Sequence, residues 1–155
     1  MWAVSSWCRW GLSDDLEARL YECLANRRWA REVATRGFEA ADHAMEALTD
    51  EEWIDAMKAH PRIGERGGDA PATSEREQNR ALQASAPTLS ELAAENRRYE
   101  DKFGHVFLVH ASGRSAEEIL GELRRRMSND PVAELQEAKR ELRKIALLRM
   151  AKLTS

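Results

Sequence analysis

A histidine followed by proline is the first feature of this sequence that suits chemistry. His60 stands where a predicted helix ends at Pro61 and a glycine-rich stretch begins, so its ring would be held by rigid structure and still face open space. An imidazole titrates near neutral pH, which suits proton transfer. The same position also suits a histidine that caps a helix C-terminus, where the helix dipole favours its cation. Spacing alone leaves both interpretations of His60 open.

A second group, Ser74, Glu77 and Gln78, shares one face of a predicted first helical turn. A serine at the N-cap with a glutamate three residues later forms a capping box, which explains Ser74 and Glu77 without any function. Gln78 has no such structural role. A binding role for this group is therefore an alternative to helix capping.

The third feature is an arginine at an apolar position of the last predicted helix. Arg149 lies four residues after Ile145 and seven after Leu142, so the helical period places it on the stripe that should face the core. A buried guanidinium needs a partner, and an anionic substrate would be one. The simpler interpretation is that Arg149 lays its stem on apolar surface and extends its head to water.

Other familiar catalytic patterns are missing from the sequence. None of the four histidines belongs to an H-E-x-x-H motif, and Cys8 and Cys23 form no C-x-x-C pair, so we predict no metal site. There is no phosphate-binding or dinucleotide-binding glycine pattern and no G-x-S-x-G turn. Composition and spacing alone lead only to a helical domain.

Composition limits the class of protein further. The 155 residues carry a net charge of -3, which disfavours nucleic acid as a partner. No stretch approaches the roughly 18 apolar residues that span a bilayer, and the first ten residues lack the apolar segment of a signal peptide. Two cysteines are too few for a disulfide framework. We expect a cytoplasmic protein with no membrane partner.

Capping signals and apolar periodicity predict seven to eight helices in a single compact all-α domain. Residues 61–73 contain three glycines and two prolines and predict a loop. Residues 105–110 (HVFLVH) are the one short apolar, β-branched run, which predicts a buried extended segment because a lone run cannot make a sheet. Helix starts are predicted at Ser13, Thr49, Ser74, Thr88, Ser115 and Asp130, and the inward stripe of the last helix at Val132, Leu135, Ala138, Leu142 and Ile145.

Five short blocks, taken in order, resemble the family of 2-oxo-4-hydroxy-4-carboxy-5-ureidoimidazoline (OHCU) decarboxylases. The resemblance covers about residues 12–152 and includes N-R-R-W-A near the start. It implies a helical domain over 12–155, preceded by an N-terminal extension over 1–11. The blocks are H-P-R-I-G (60–64), S-E-R-E-Q (74–78), Y-E-D-K-F-G-H-V-F (99–107), G-R-S-A-E-E-I-L (113–120) and K-I-A-L-L-R-M (144–150).

The resemblance implies a lyase of urate degradation. Members of the family are all-helical, need no cofactor and are often dimers, so a homodimer is open here. Their reaction converts the small molecule OHCU into (S)-allantoin and carbon dioxide. By the family pattern, His60 corresponds to the catalytic histidine, Glu77 to its acidic partner and Arg149 to the arginine that meets the substrate, and we expect these three to surround one cavity.

The resemblance also implies a set of substrate-binding residues. Pro61, Ser74 and Gln78 would line the pocket, and backbone groups would hold the ureido and ring atoms. The backbone segment comprises His105, Val106, Phe107, Leu108 and Val109. His105 departs from the aromatic or apolar residue usual at its position, and we expect it to vary the pocket wall rather than to donate a proton. Residues 62–68 are more basic and glycine-rich than is usual, which leaves their role as a lid open.

Two other functions stay open on the sequence. One is a decarboxylase of a different small carboxylated heterocycle, because an all-α frame does not fix the substrate. The other is a non-enzymatic helical interaction domain, with the run Arg124–Arg125–Arg126 and the charged face of the last helix as its binding surface. Charge runs on helices are usually solvated faces, which weighs against this second alternative.

Overall fold

The computed structural model of the protein describes residues 7–62 and 79–154, with side chains from residue 14 in the first range and from residue 80 in the second. These residues form eight α-helices and no strand, so the predicted all-α fold is confirmed. A short 3₁₀ helix, Phe38–Ala40, precedes α3. The helices are α1 Trp7–Leu24, α2 Arg27–Arg36, α3 Ala41–Glu46, α4 Asp50–Lys58, α5 Asn79–Leu82, α6 Ala86–Phe103, α7 Ala116–Arg126 and α8 Pro131–Leu153.

Capping predicted several of the helix ends correctly. Thr49 Oγ1 accepts from the N–H of Glu52 at 3.2 Å, and Glu52 Oε1 accepts from the N–H of Thr49 at 3.3 Å, which is a reciprocal capping box at the start of α4. Ser115 caps α7, where its Oγ accepts from the N–H of Glu118 at 3.2 Å. Gly104 ends α6 in the left-handed conformation, with φ 78° and ψ 9°, where a residue without Cβ is unstrained.

Two predicted helix starts were wrong. Helix α1 begins at Trp7, so Ser13 lies inside it. A serine in a helix interior costs only about half a kcal/mol relative to alanine, and no proline precedes Ser13 to stop the helix. Helix α6 begins at Ala86, with Ser85 rather than Thr88 as its cap. Pro87 belongs to the first turn of α6, where its missing N–H removes no helical hydrogen bond.

Contacts group the described helices into two compact units. Unit A takes the residues up to Ala56 together with those from Ile145 onward. Trp29 is fully buried in it, and the indole N–H donates to the carbonyl of Ala41 at 3.1 Å. Asn26, which the sequence analysis did not single out, caps α2 through the N–H of Trp29 at 2.8 Å. The buried residues of unit A are mostly apolar side chains of α1 to α4.

Unit B runs from Met57 to Lys144. Its core surrounds the fully buried rings of Tyr99 and Phe107, which meet edge to face with centroids 5.2 Å apart. In the predicted segment 105–110, four residues are buried, whereas Val106 and His110 are half-buried, so the predicted burial is confirmed for most of the segment; the buried residues are His105, Phe107, Leu108 and Val109. The core cluster consists of Ala81, Leu92, Tyr99, Phe107, Val109, Ala111, Ala116, Ile119, Leu120 and Leu123.

The stripe predicted for α8 was correct except at its beginning. Ala138 and Leu142 are fully buried, whereas Val132 is 74% exposed. The inward position of the first turns is taken by Glu134, which is fully buried. Helix α8 thus buries a carboxylate instead of the predicted valine. This burial is tolerated because the carboxylate pairs with the buried Arg126. No helix in the described part of the chain is both long and apolar enough to span a membrane.

Candidate active site

His60 lies where the predicted helix break places it. Helix α4 ends at Lys58, and the N–H of His60 donates to the carbonyl of Met57 at 3.1 Å, which closes the last turn. The residue is buried, with 8% of its surface exposed. Pro61 follows, half-buried, and prevents the helix from continuing. The imidazole is therefore fixed by the end of a helix and largely withdrawn from solvent.

An ion pair that could not be predicted from the sequence fixes the chain after His60. Arg62 Nε donates to Glu100 Oε1 at 2.6 Å, and Arg62 Nη2 donates to Glu100 Oε2 at 3.0 Å. This bidentate geometry is the strongest form of an arginine–carboxylate contact. It holds the residue two positions after His60 against helix α6.

Residues 105–109 form a segment without regular secondary structure that is buried except at Val106, which is half-buried. Two contacts hold its backbone at the C-terminal end. Arg126 Nη1 donates to the carbonyl of Leu108 at 2.6 Å, and the N–H of His110 donates to Glu141 Oε2 at 2.8 Å. Both contacts use side chains from helices distant in sequence. The segment is thus fixed by its neighbours rather than by a strand partner.

Several peptide N–H groups of this segment have no partner among the residues that the structure describes. The N–H groups of residues 106 to 109 donate to no atom of the residues that the structure describes. Unpaired buried N–H groups are costly, and folded proteins rarely keep them without a partner. A row of such donors is suited to a ligand rich in carbonyl oxygens, which agrees with the backbone role that the resemblance implies.

His105 packs as an aromatic side chain. Its ring meets Tyr99 edge on at 5.6 Å and stacks on Phe103 at 6.3 Å. Burial lowers the pKa of His105 below its usual value, because a buried cation loses its hydration. The neutral ring is thereby favoured near pH 7, which fits the expectation that His105 forms part of a wall.

A buried ion pair contacts the 105–109 segment. Arg126 and Glu134 are both fully buried, and Arg126 Nε donates to Glu134 Oε1 at 2.7 Å. The hydroxyl of Tyr99 donates to the same carboxylate oxygen. Burial, and then the hydrogen bond to Glu134, raise the pKa of Tyr99, so the phenol stays protonated.

The arginine run is therefore not the uniform surface that the interaction alternative required. Arg124 and Arg125 are exposed and pair with glutamates, whereas Arg126 points into the core of unit B. Periodicity could have indicated this, since Arg126 lies seven residues after Ile119 and three after Leu123 on the buried face of α7. Because the three arginines are consecutive, they lie on different faces of helix α7.

Arg149 belongs to unit A and is half-buried. Its Nη1 donates to the carbonyl of Glu22 at 3.1 Å, in the last turn of α1. Carbonyls of a last helical turn lack a helical donor and favour a cation. The guanidinium is thus held at the end of a neighbouring helix within its own unit.

The predicted site is only partly visible in the described residues. Ser74, Glu77 and Gln78 lie outside them, as does most of the predicted loop. His60, Pro61 and residues 105–109 belong to unit B, and Arg149 belongs to unit A. The convergence of His60, Glu77 and Arg149 around one cavity therefore stays a prediction.

The described residues contain no group of three histidine, cysteine, aspartate or glutamate side chains placed to hold a metal ion. Two open surface clefts in unit A, of about 560 and 610 Å³, contain none of the predicted site residues among their lining. Their walls carry arginines that already pair with glutamates, such as Arg28 with Glu52 and Arg36 with Glu32. These clefts do not compete with the candidate site.

Comparisons with known proteins place this helical fold and its motifs in one class. A crystal structure of OHCU decarboxylase in the presence of (S)-allantoin matches with a TM-score of 0.73 at 34% sequence identity, over 86% of this chain and 94% of that chain. The fold is thus that of a decarboxylase of known structure. The family model of OHCU decarboxylases matches residues 13–151, and the chain belongs to that family.

Curated relatives agree with this membership. Uric acid degradation bifunctional protein TTL of Arabidopsis thaliana is 36% identical over 147 residues, which are 86% of this chain and 45% of that protein. The 2-oxo-4-hydroxy-4-carboxy-5-ureidoimidazoline decarboxylase of Halalkalicoccus jeotgali is 26% identical over 139 residues, 84% of this chain and 77% of that protein. The chain spans less than half the length of the first curated relatives it matches.

Proposed function

We propose that this chain catalyses the decarboxylation of OHCU to (S)-allantoin and carbon dioxide, without a cofactor, in urate degradation. The observation that carries the proposal is the family match over residues 13–151, which includes His60, Glu77 and Arg149. The buried position of His60 at the end of α4 supports it, because a proton-transferring imidazole needs a fixed orientation.

The substrate supplies its own electron sink. When the bond between the ring carbon and the carboxylate breaks, carbon dioxide leaves, and the electron pair forms a double bond to the neighbouring ring carbon as the C=N electrons move onto the ring nitrogen, which takes up a proton. The resulting enol then loses its hydroxyl proton and becomes a carbonyl, while the ring carbon that carries the ureido group takes up a proton. Because this delocalisation replaces the role of an organic cofactor, the protein must only orient the substrate and move protons.

The proposed side-chain roles follow from this sequence of bond changes. His60 handles the proton of the 4-hydroxyl group and the proton that reaches the ring carbon. Glu77 holds ureido or ring N–H groups and biases the charge of the imidazole. The unpaired N–H groups of residues 106 to 109 would bind the carbonyl oxygens of the ring and ureido groups. Pro61, Ser74 and Gln78 complete the pocket wall.

Arg149 needs a role that favours the transition state. A guanidinium paired tightly with the departing carboxylate would stabilise the ground state more than the transition state and slow the reaction. We therefore assign Arg149 to orienting the substrate and to stabilising negative charge as it moves onto the ring. Its contact with the Glu22 carbonyl limits the positions of the guanidinium.

The product's chirality provides the test. Urate oxidase and hydroxyisourate hydrolase generate OHCU from urate in the cuvette, and circular dichroism follows allantoin as it forms. We expect (S)-allantoin to appear faster than in the spontaneous reaction, because an enzyme delivers the proton to one face of the ring. Racemic allantoin at the spontaneous rate would overturn the proposal and favour a different carboxylated heterocycle as substrate.

The remaining features of the proposal concern partners and place in the cell. We propose a small-molecule substrate, no nucleic-acid partner and a cytoplasmic location, supported by the net charge of -3 and the two cysteines. A homodimer is proposed from family membership, and light scattering coupled to size exclusion tests it. A molar mass near 17.6 kDa at all loading concentrations would contradict the dimer.

A further inference from the structure

Arg126 and Glu134 form an ion pair in the interior of unit B, where charged side chains are rare. Both side chains are fully buried, and removing two charges from water costs about as much as their attraction returns. A pair of apolar side chains would fill the same space at similar or better stability. The pair therefore calls for an explanation other than stability.

The contacts of Arg126 provide that explanation. Its Nη1 donates to the carbonyl of Leu108 at 2.6 Å, and its guanidinium carbon lies 4.7 Å from the centre of the Phe107 ring. The arginine thus holds both the peptide and the adjacent side chain of the 105–109 segment. Glu134 in turn holds the guanidinium through Nε at 2.7 Å.

The other atoms around this pair keep the carboxylate fixed. The hydroxyl of Tyr99 donates to Glu134 Oε1, and Asn129 Nδ2 donates to Glu134 Oε2 at 3.0 Å. Both carboxylate oxygens are therefore occupied, and the direction of the guanidinium is determined. Side chains from α6, α7 and α8 together set the position of one peptide carbonyl.

We propose that Arg126, held by Glu134 and Tyr99, is a positioning residue that fixes residues 105–109 in the conformation that binds substrate. The proposal rests on the proposed decarboxylase function, in which these peptide groups hold the ring and ureido atoms. In a planar trans peptide the N–H of Val109 points opposite to the carbonyl of Leu108, so a contact that fixes this carbonyl also fixes the direction of that N–H. Arg126 would thereby act through the backbone without touching the substrate.

The kinetic test separates positioning from stability. Binding groups used equally in the ground and transition states affect KM more than kcat, whereas a loss of folded protein lowers kcat and leaves KM unchanged. The apolar triple variant Arg126→Met, Glu134→Leu and Tyr99→Phe removes the network without leaving a buried charge. We expect it to fold and to raise KM for OHCU about tenfold, with kcat lowered much less.

A conservative variant and a matched control sharpen this test. Arg126→Lys keeps a charge beside Glu134 but lacks the planar fork that reaches two partners, so we expect a smaller rise in KM. Arg125→Met removes the neighbouring arginine, which is half-exposed and pairs with Glu122 and Glu137, and should leave KM unchanged. An unchanged KM in either folded Arg126 variant overturns the proposal, as does a lower kcat with KM unaffected.

A second measurement is independent of turnover. In ¹H–¹⁵N spectra of the full chain, the amide resonances of residues 106–109 should move or broaden in both Arg126 variants and stay in place in Arg125→Met. Unmoved resonances would show that Arg126 does not position this segment. A wild-type protein that produces no (S)-allantoin contradicts the proposed function alone, and the spectra still decide the role of Arg126.

Discussion

Arg62 and Glu100 lie 38 residues apart in the chain and form a two-pronged ion pair with distances of 2.6 and 3.0 Å. Glu100 belongs to α6, and Arg62 follows the His60–Pro61 step at the end of α4. This contact fixes the chain on the C-terminal side of the candidate catalytic histidine. A fixed backbone at this point restricts where the imidazole can lie.

Glu100→Gln should lower kcat for OHCU about three- to tenfold, because small displacements of a proton-transferring group weaken catalysis. Glu95→Gln is the matched control, since Glu95 lies on the same helix and pairs only locally with Arg98 among the contacts described. Steady-state kinetics with enzymatically generated OHCU measures both. Equal rates for the two variants would contradict a positioning role for this ion pair.

His60→Asn should reduce decarboxylation by about 10²- to 10⁴-fold, the usual contribution of a proton-transferring side chain. The amide keeps a polar group of similar size in the buried position, so circular dichroism should show a folded protein. His43→Ala, an exposed histidine of α3, should retain wild-type turnover. Full activity in a folded His60→Asn protein would contradict the proton-transfer role of His60.

Arg149→Lys should lower kcat by about tenfold or more, because a guanidinium that stabilises charge late in the reaction acts mainly on the transition state. The lysine keeps the charge but loses the geometry that also reaches the Glu22 carbonyl. Arg140→Lys, at an exposed position of the same helix, serves as the control. An effect confined to KM would argue against this role of Arg149.

His105→Phe should preserve kcat/KM and its pH profile, because His105 packs as an aromatic ring and its pKa is lowered by burial. The lowered pKa has a second consequence. Wild-type stability relative to the variant should be full above about pH 6.5 and should fall as the pH drops through the lower folded-state pKa. Thermal melts of both proteins at pH 7.5 and pH 5 measure this change in stability. A large loss of turnover in His105→Phe would instead indicate that His105 donates a proton.

Glu52→Gln should destabilise the protein by about 1 kcal/mol near pH 7, because it weakens both a helix cap and an ion pair. The hydrogen bond from Arg28 lowers the pKa of Glu52 from 4.5 to about 2. The stabilisation is therefore present above pH 4.5 and is lost as the pH falls toward 2. Urea midpoints at several pH values measure it, with Glu32→Gln, a similarly exposed partner of Arg36, as the control.

Much of the fold could be predicted because its signals are local. The capping box at Thr49, the end of α6 at Gly104 and the helix break before Pro61 each depend on residues within one helical turn. The same locality produced the errors. Ser13 and Thr88 have the side chains of N-caps, but an earlier start of the helix was available at each place.

The sequence by itself determined the helices, the histidine at the end of one of them and the family to which its motifs point, because helical periodicity and motif spacing are written along the chain. Tertiary structure alone decided that Arg126 pairs with Glu134, that Glu134 rather than Val132 is buried in the core and that Glu100 holds Arg62. The physical reason is that the free energy of a buried charge depends on the partner it meets. Those partners are distant in sequence and are brought together only by folding.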